Sequence, residues 1–307
     1  MSSPHFSNVL VFGATGEVSS AVALEARARG ARVTLALRDV SKPNERISPE
    51  QERAAADLTD PVAVTRREPD RRPGGLRLRP GIQYVVFLST SQVKNAGAAK
   101  GDIHSIERDH FIPWQHTQVE IGLEKLGLPH TALRAGFFAS NPLRIYLDRS
   151  AELKQVHLLA PEVPHDPIDP ANIGRVAGAV LVNPRLYASG YQGTNGSTPR
   201  KDVACLSGPA LLSQTEQWDI INRELAAAGK PQVTVTHITV EQYLKSLAPL
   251  NVPDMVAKSL VKSMVETKAL YAAEDYEKQR SNVELLTVRK ATSFEDFVKS
   301  EIPRYFK

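Results

Sequence analysis

The first half of the chain alternates short, unbroken apolar runs with stretches of helical spacing. Val9-Leu10-Val11-Phe12 is followed at once by Gly13-Ala14-Thr15-Gly16, then by Val18, Val22, Leu24 and Ala28, with Gly30 behind them. An uninterrupted apolar quartet suits a parallel strand covered on both faces, and the later spacing suits an amphipathic helix stopped by glycine. Val33-Thr34-Leu35-Ala36-Leu37 reads as a second strand ending at Arg38, which completes a βαβ unit. The pattern then weakens. Only Ala54-Ala55-Ala56, ahead of Asp57-Leu58, offers a third strand before Tyr84-Val85-Val86-Phe87-Leu88, which ends in Ser89-Thr90-Ser91. A helix with Pro113 in its first turn and a stripe of Val119, Leu123 and Leu126 stops at Gly127, and His130 to Arg134 forms the next strand.

Beyond Asn141 the alternation loosens. Pro170 opens a helix through Ile173, Val176 and Val180, and another surrounds Trp218, Ile221 and Leu225. Val233 to Ile238 is a β-branched strand, and helices marked by Met255–Val265 and by Phe294, Phe297 and Val298 complete a mostly helical end. The expected fold class is α/β, a Rossmann-type doubly wound parallel sheet. Residues 1–150 form the dinucleotide-binding part, and residues 151–307 form a smaller substrate lobe packed on it.

Composition narrows the function classes. The 42% hydrophobic and 23% charged residues are ordinary for a globular protein. With one cysteine, Cys205, an internal disulfide is excluded, and its apolar surroundings read as a buried thiol. No apolar run approaches the roughly 20 residues of a bilayer span, and no signal peptide is visible, so a cytoplasmic, membrane-free protein is expected. The net charge of +4 owes much to Arg66, Arg67, Arg71, Arg72, Arg77 and Arg79. These lack interleaved aromatics, so a solvated loop is expected and no nucleic-acid contact. No metal site is expected.

The chemistry begins at the turn. Gly13 can take the backbone angles of a tight strand-to-helix turn, and Gly16, without a Cβ, lets the chain approach a pyrophosphate. The helix that starts at Glu17 and Val18 would then aim its free N–H groups and positive end at the phosphates. Ser19 or Ala21 supplies the third small residue of the fingerprint. At the end of the second strand, Arg38, with Lys42 four residues on, suits an adenosine 2′-phosphate, since a guanidinium pairs bidentately with phosphate. The expected cofactor is NADP(H).

These residues resemble the NmrA-like, atypical short-chain dehydrogenase family. The likeness continues in order through Arg38, Asp57-Leu58-Thr59-Asp60-Pro61, Val86-Phe87-Leu88-Ser89, Glu120 with Leu123 and Gly127, Thr131-x-Leu133-Arg134, Phe138 with Asn141, Ile168-Asp169 with Ile173-Gly174, and Gly208-Pro209. The resemblance implies that Gly13, Ala14, Thr15, Gly16, Glu17, Val18, Arg38, Lys42, Asp57, Leu58, Ser89, His116, Phe137, Phe138 and Asn141 bind the cofactor. The family includes isoflavone- and quinone-type reductases, enzymes of fungal secondary metabolism and non-catalytic redox-sensing regulators.

Two departures stand out. The family places a further strand and helix between Asp57-Leu58 and the strand at Tyr84, where this chain has a short segment rich in Arg, Pro and Gly. Catalytic members often carry Lys where this chain has His116, and the place of a catalytic Tyr is Ile112. His116 shares a helix face with Glu120 at i,i+4. It is read either as a general acid or ribose contact or as a histidine bonded to its own helix or to Glu120. The leading expectation is an NADPH-dependent reductase of a small, largely apolar substrate, with His116 as proton donor and Phe137, Phe138 and Asn141 lining the pocket. A regulator that senses NADP(H) and acts through a protein partner, and a redox-neutral isomerase or cyclase, remain the alternatives.

Overall fold

The computed structural model describes residues 4–41, 48, 50–56, 81–93, 102–148, 154–184, 202–265 and 273–306. Strand β1 (Asn8–Phe12) leads through the glycine turn into helix α1 (Glu17–Ala28) and back into β2 (Arg32–Leu37). Both strands run parallel, from Asn8 opposite Arg32 to Phe12 opposite Ala36. The weak Ala54–Ala56 signal is a real strand: β3 (Arg53–Ala55) pairs parallel with β2, giving the order β1-β2-β3.

A second parallel group has the order β4-β5-β9, from β4 (Val85–Thr90), β5 (His130–Ala135) and β9 (Val203–Leu206). The helix expected around Pro113 is α2 (Phe111–Lys125), and the one opened by Pro170 is α3 (Pro170–Val182), capped by the Asp169 carboxylate. Strand β9 carries Cys205, which is buried as expected. It also places a piece of the 151–307 half inside the first sheet system, beside β5. Helix α3, from the same half, packs on α1. Gly174 and Gly178 lie at that crossing. A Cβ on Gly174 would overlap the Val18 carbonyl oxygen and lie 2.5 Å from Ala21 Cβ, and one on Gly178 would lie 2.8 Å from Glu25 Cβ. Ala21 is therefore small to admit another helix. The two halves of the sequence interleave.

The remaining elements build a second core. Strands β6 (Leu147–Asp148), β7 (Gln155–Leu159) and β11 (Thr234–Ile238) form one small sheet, and β8 (Pro164–His165) pairs with β10 (Leu212–Ser213). Helix α4 (Gln214–Ala227) buries Trp218, Ile221 and Leu225 against Phe294, Phe297, Val298 and Ile302 of α8 (Phe294–Tyr305). Helices α5 (Val240–Leu247), α6 (Asp254–Val265) and α7 (Ala273–Thr287) complete the set of described helices.

Among the described residues, β1 and β4 share no ladder. A cavity of about 450 Å³ lies between them, bounded by Val9 and Val11 on one side, Val86 and Leu88 on the other, with Ile173 and Ala177 of α3 among its walls. Leu10, in what the sequence reads as a doubly covered strand, is 52% exposed. The doubly wound sheet is thus observed as two parallel groups whose facing strands stand apart.

Candidate functional site

The turn after β1 has the backbone that the glycine pattern predicts. Gly13 sits at φ +65°, where a side chain would be strained, and the Gly16 N–H closes the turn on the Gly13 carbonyl at 2.9 Å. Gly16 is also the N-cap of α1 and, having no side chain, does not itself cap the N–H groups of the first helical turn. Ala14 is buried in the main core, Thr15 is exposed, and Val18 borders the cavity between β1 and β4. Glu17, the acid in that first turn, is held by two cations. Arg144 Nη1 donates to its Oε2 at 3.5 Å and Arg304 Nη1 to its Oε1 at 3.2 Å.

Arg38 lies exposed just past the end of β2. Its neighbour Asp39 accepts through Oδ1 from the Ser41 N–H at 2.9 Å and hydroxyl at 2.6 Å. Lys42, Asp57 and Leu58 lie outside the described residues.

A second cavity of about 450 Å³ opens beyond the ends of β4 and β5. Ser89, His116, Phe137, Phe138 and Asn141 all line it, so the structure brings these sequence-nominated residues together. Phe138 also packs against the main core, which makes it part wall and part support. Helices α5 and α6 close the other side with Tyr243, Leu247, Leu260 and Met264. No Asp, Glu, Lys or Arg is among the described lining residues.

The wall beneath Ser89 is an ion pair buried in the sheet layer. Arg134 Nη2 donates to Glu120 Oε2 at 2.6 Å, its Nε donates to Oε1 at 3.3 Å, and the Ser89 hydroxyl donates to the same Oε1 at 2.5 Å. Glu120 is thereby occupied with Arg134 and Ser89. His116 instead uses Nδ1 toward the Ile112 carbonyl at 2.8 Å. A carbonyl only accepts, so Nδ1 carries the proton; the remaining Nε2 holds a lone pair in the neutral ring and a proton only in the imidazolium.

Three features went unnoticed in the sequence. His165, on β8, is buried against Phe137 with ring centroids 4.6 Å apart, and burial pulls its pKa down to about 4, so the ring is neutral. Asp166, next to it, accepts the Phe137 N–H at 3.0 Å, and a Cβ on Gly136 would overlap its carboxylate. Tyr146 stacks on Phe137, and burial raises its hydroxyl pKa well above the ordinary value. The local signal was only the polar His165-Asp166 pair between prolines. Nothing in the spacing ties it to Gly136, almost 30 residues earlier.

Comparison with family profiles finds no match. Against individual proteins, the chain is 70% identical to a nitrogen metabolite regulation-like protein, bik4, of Gibberella fujikuroi, with all of both chains covered. That alignment spans 329 positions against the 307 residues here, so at least 22 positions have no residue in this chain. Among solved structures, it resembles an NADPH-dependent quinone oxidoreductase of Escherichia coli in complex with NADPH, at TM-score 0.59 and 16% identity, over 95% of this chain and 99% of that one. It also resembles NmrA, a negative transcriptional regulator, at TM-score 0.57 and 14% identity, over 98% and 97% of the two chains. The fold is that of these Rossmann-type proteins, and the relationship to the Gibberella protein establishes that the chain belongs to the NmrA-like family.

Proposed function

We propose that the protein binds NADP(H) at the Gly13–Val18 turn and reduces a small, uncharged organic substrate in the cleft beyond β4 and β5. The observation that carries this reading is the side-chain-free helix cap at Gly16, which leaves the first turn of α1 open to a diphosphate. Arg38 supplies the preference for a 2′-phosphate, because it is exposed at the end of β2 and Asp39 is engaged with Ser41. When bound, the nicotinamide supplies or accepts a hydride.

The chain's own residues would do the rest. The Ser89–Glu120–Arg134 network fixes one wall of the cleft, and the Asp166–Phe137 bond fixes the end of β5. A lining without Asp, Glu, Lys or Arg favours an uncharged substrate with few polar atoms. His116 lines that cleft and is the proton carrier in this reading, acting from its imidazolium through Nε2. The fold shared with an NADPH-dependent quinone oxidoreductase is compatible with reductase chemistry in this cleft.

A second reading has its own support: the Gibberella relative is named regulation-like, and NmrA is a regulator. A protein that binds the cofactor without turnover would then pass its redox state to a protein partner. Cofactor titration tests what both readings share. The wild type is expected to bind NADPH more tightly than NADH, and Arg38→Asp to lose roughly tenfold or more in NADPH affinity, since a charge-assisted bond contributes about 1.5–3 kcal/mol. Equal affinities for the two cofactors in the wild type would remove the 2′-phosphate assignment. Turnover against carbonyl and quinone compounds then separates enzyme from sensor.

A further inference from the structure

An acidic side chain in the first turn of a helix that is to meet a diphosphate is an electrostatic contradiction. The helix end attracts anions, and Glu17 places a fixed one there. The structure resolves this with two arginines from distant parts of the chain. Arg144 lies in the single π turn Pro142–Tyr146, whose neighbours Ile145 and Tyr146 line the substrate cleft. Arg304 comes from α8, the last helix, and also pairs with Glu301 at 3.1 Å. Glu17 is 15% exposed, whereas Arg144 and Arg304 are 51% and 46% exposed, so both cations reach inward to it while keeping contact with solvent.

We propose that Arg144 and Arg304 are positioning residues of the cofactor site: they neutralise Glu17, and on arrival of a diphosphate their guanidinium groups turn part of their hydrogen bonding to it. The inference rests on the cofactor reading given above. Neither arginine belongs to the glycine turn, and the sequence separations of 127 and 287 residues hid both from sequence analysis. The arrangement also couples the two cores. Arg304 stands on the helix that buries Phe294, Phe297 and Ile302 in the second core, so cofactor charge at α1 bears directly on the placement of α8.

The test is fluorescence titration of the full chain with two probes. NADPH carries the diphosphate; adenosine 2′-monophosphate carries only the group assigned to Arg38. In the Arg144→Gln/Arg304→Gln double variant, Glu17 loses both of these cations. NADPH affinity is expected to fall about tenfold or more, as like charges brought together without compensation do. Adenosine 2′-monophosphate affinity should stay within about twofold, which also reports that the site is folded. Adding Glu17→Gln to the double variant should restore most of the NADPH affinity, and the differences should shrink at high salt. An unchanged NADPH affinity in the double variant, a loss that Glu17→Gln does not restore, or a parallel loss of both probes overturns the proposal. A wild type that binds neither probe refutes the cofactor reading itself, and a wild type that binds both without charge dependence refutes only this inference.

Discussion

Removing the guanidinium of Arg134 should destabilise the protein more than any surface charge change, and the structure sets the size. Arg134 and Glu120 side chains are each 3% exposed, and their closest approach is 2.6 Å. In Arg134→Met the stem is largely replaced, but Glu120 keeps a buried carboxylate with the Ser89 hydroxyl as its one remaining partner from the network described above. Breaking one side of a buried pair costs about 3–5 kcal/mol, because the stranded charge loses compensation while staying out of water. Against a typical total stability of about 5–15 kcal/mol this is a large fraction. At roughly 2–4 °C per kcal/mol for a protein of this size class, Tm should fall by roughly 6–20 °C. Urea unfolding and a thermal melt measure it. The companion Arg134→Met/Glu120→Leu removes both charges, leaves only Ser89 to find a new partner, and should recover at least half of the loss. A loss below about 1 kcal/mol in the single variant, the range of solvent-screened pairs, would refute the reasoning. So would a double variant no more stable than the single one.

Other outcomes follow from the same structure. Gly174→Ala drives a Cβ into the Val18 carbonyl and should lower stability by about 1–3 kcal/mol, whereas Gly122→Ala, with nothing within 4 Å in α2, should raise it by about 0.4–1 kcal/mol; urea midpoints compare the two. Once a substrate is known, His116→Ala should slow turnover by about 10²–10⁴-fold with little change in NADPH affinity, the signature of a proton carrier; unchanged steady-state kinetics would favour the sensor. If the positions that the Gibberella relative has in excess fall within 57–80, replacing that segment with the relative's should close the gap between β1 and β4. Amide exchange at Val9–Phe12 and Val86–Leu88 would then slow, because the facing strand edges gain ladder partners; exchange at wild-type rates would show that the missing positions lie elsewhere.

Local pattern was enough for the elements that carry the cofactor turn. Val9 to Phe12, Gly13 and Gly16 specify a strand, a left-handed turn position and a helix cap without a side chain through local sterics, and the structure has all three, although Leu10 faces solvent where the sequence reads as a doubly covered strand. Proline likewise marked the starts of α2 and α3, since Pro113 and Pro170 act within one turn. Even the faint Ala54–Ala56 signal matched a strand, as pairing with β2 supplies the stability its side chains lack.

What periodicity could not contain is who meets whom. The stripe of Val119, Leu123 and Leu126 misjudges even the buried face of α2, where Val119 and Leu126 are exposed and Pro113, Thr117, Glu120 and Ile121 are buried. It took the β4–β5 pairing to bring Ser89 and Arg134 onto the same Glu120 carboxylate, while His116 turns to the Ile112 carbonyl. Gly136 reads as an ordinary glycine until Asp166 is folded over it, and Glu17 reads as a helix-opening acid until Arg144 and Arg304 arrive from the other core. These contacts join residues tens to hundreds of positions apart. Their energies depend on burial and through-space distance, which only the tertiary fold sets.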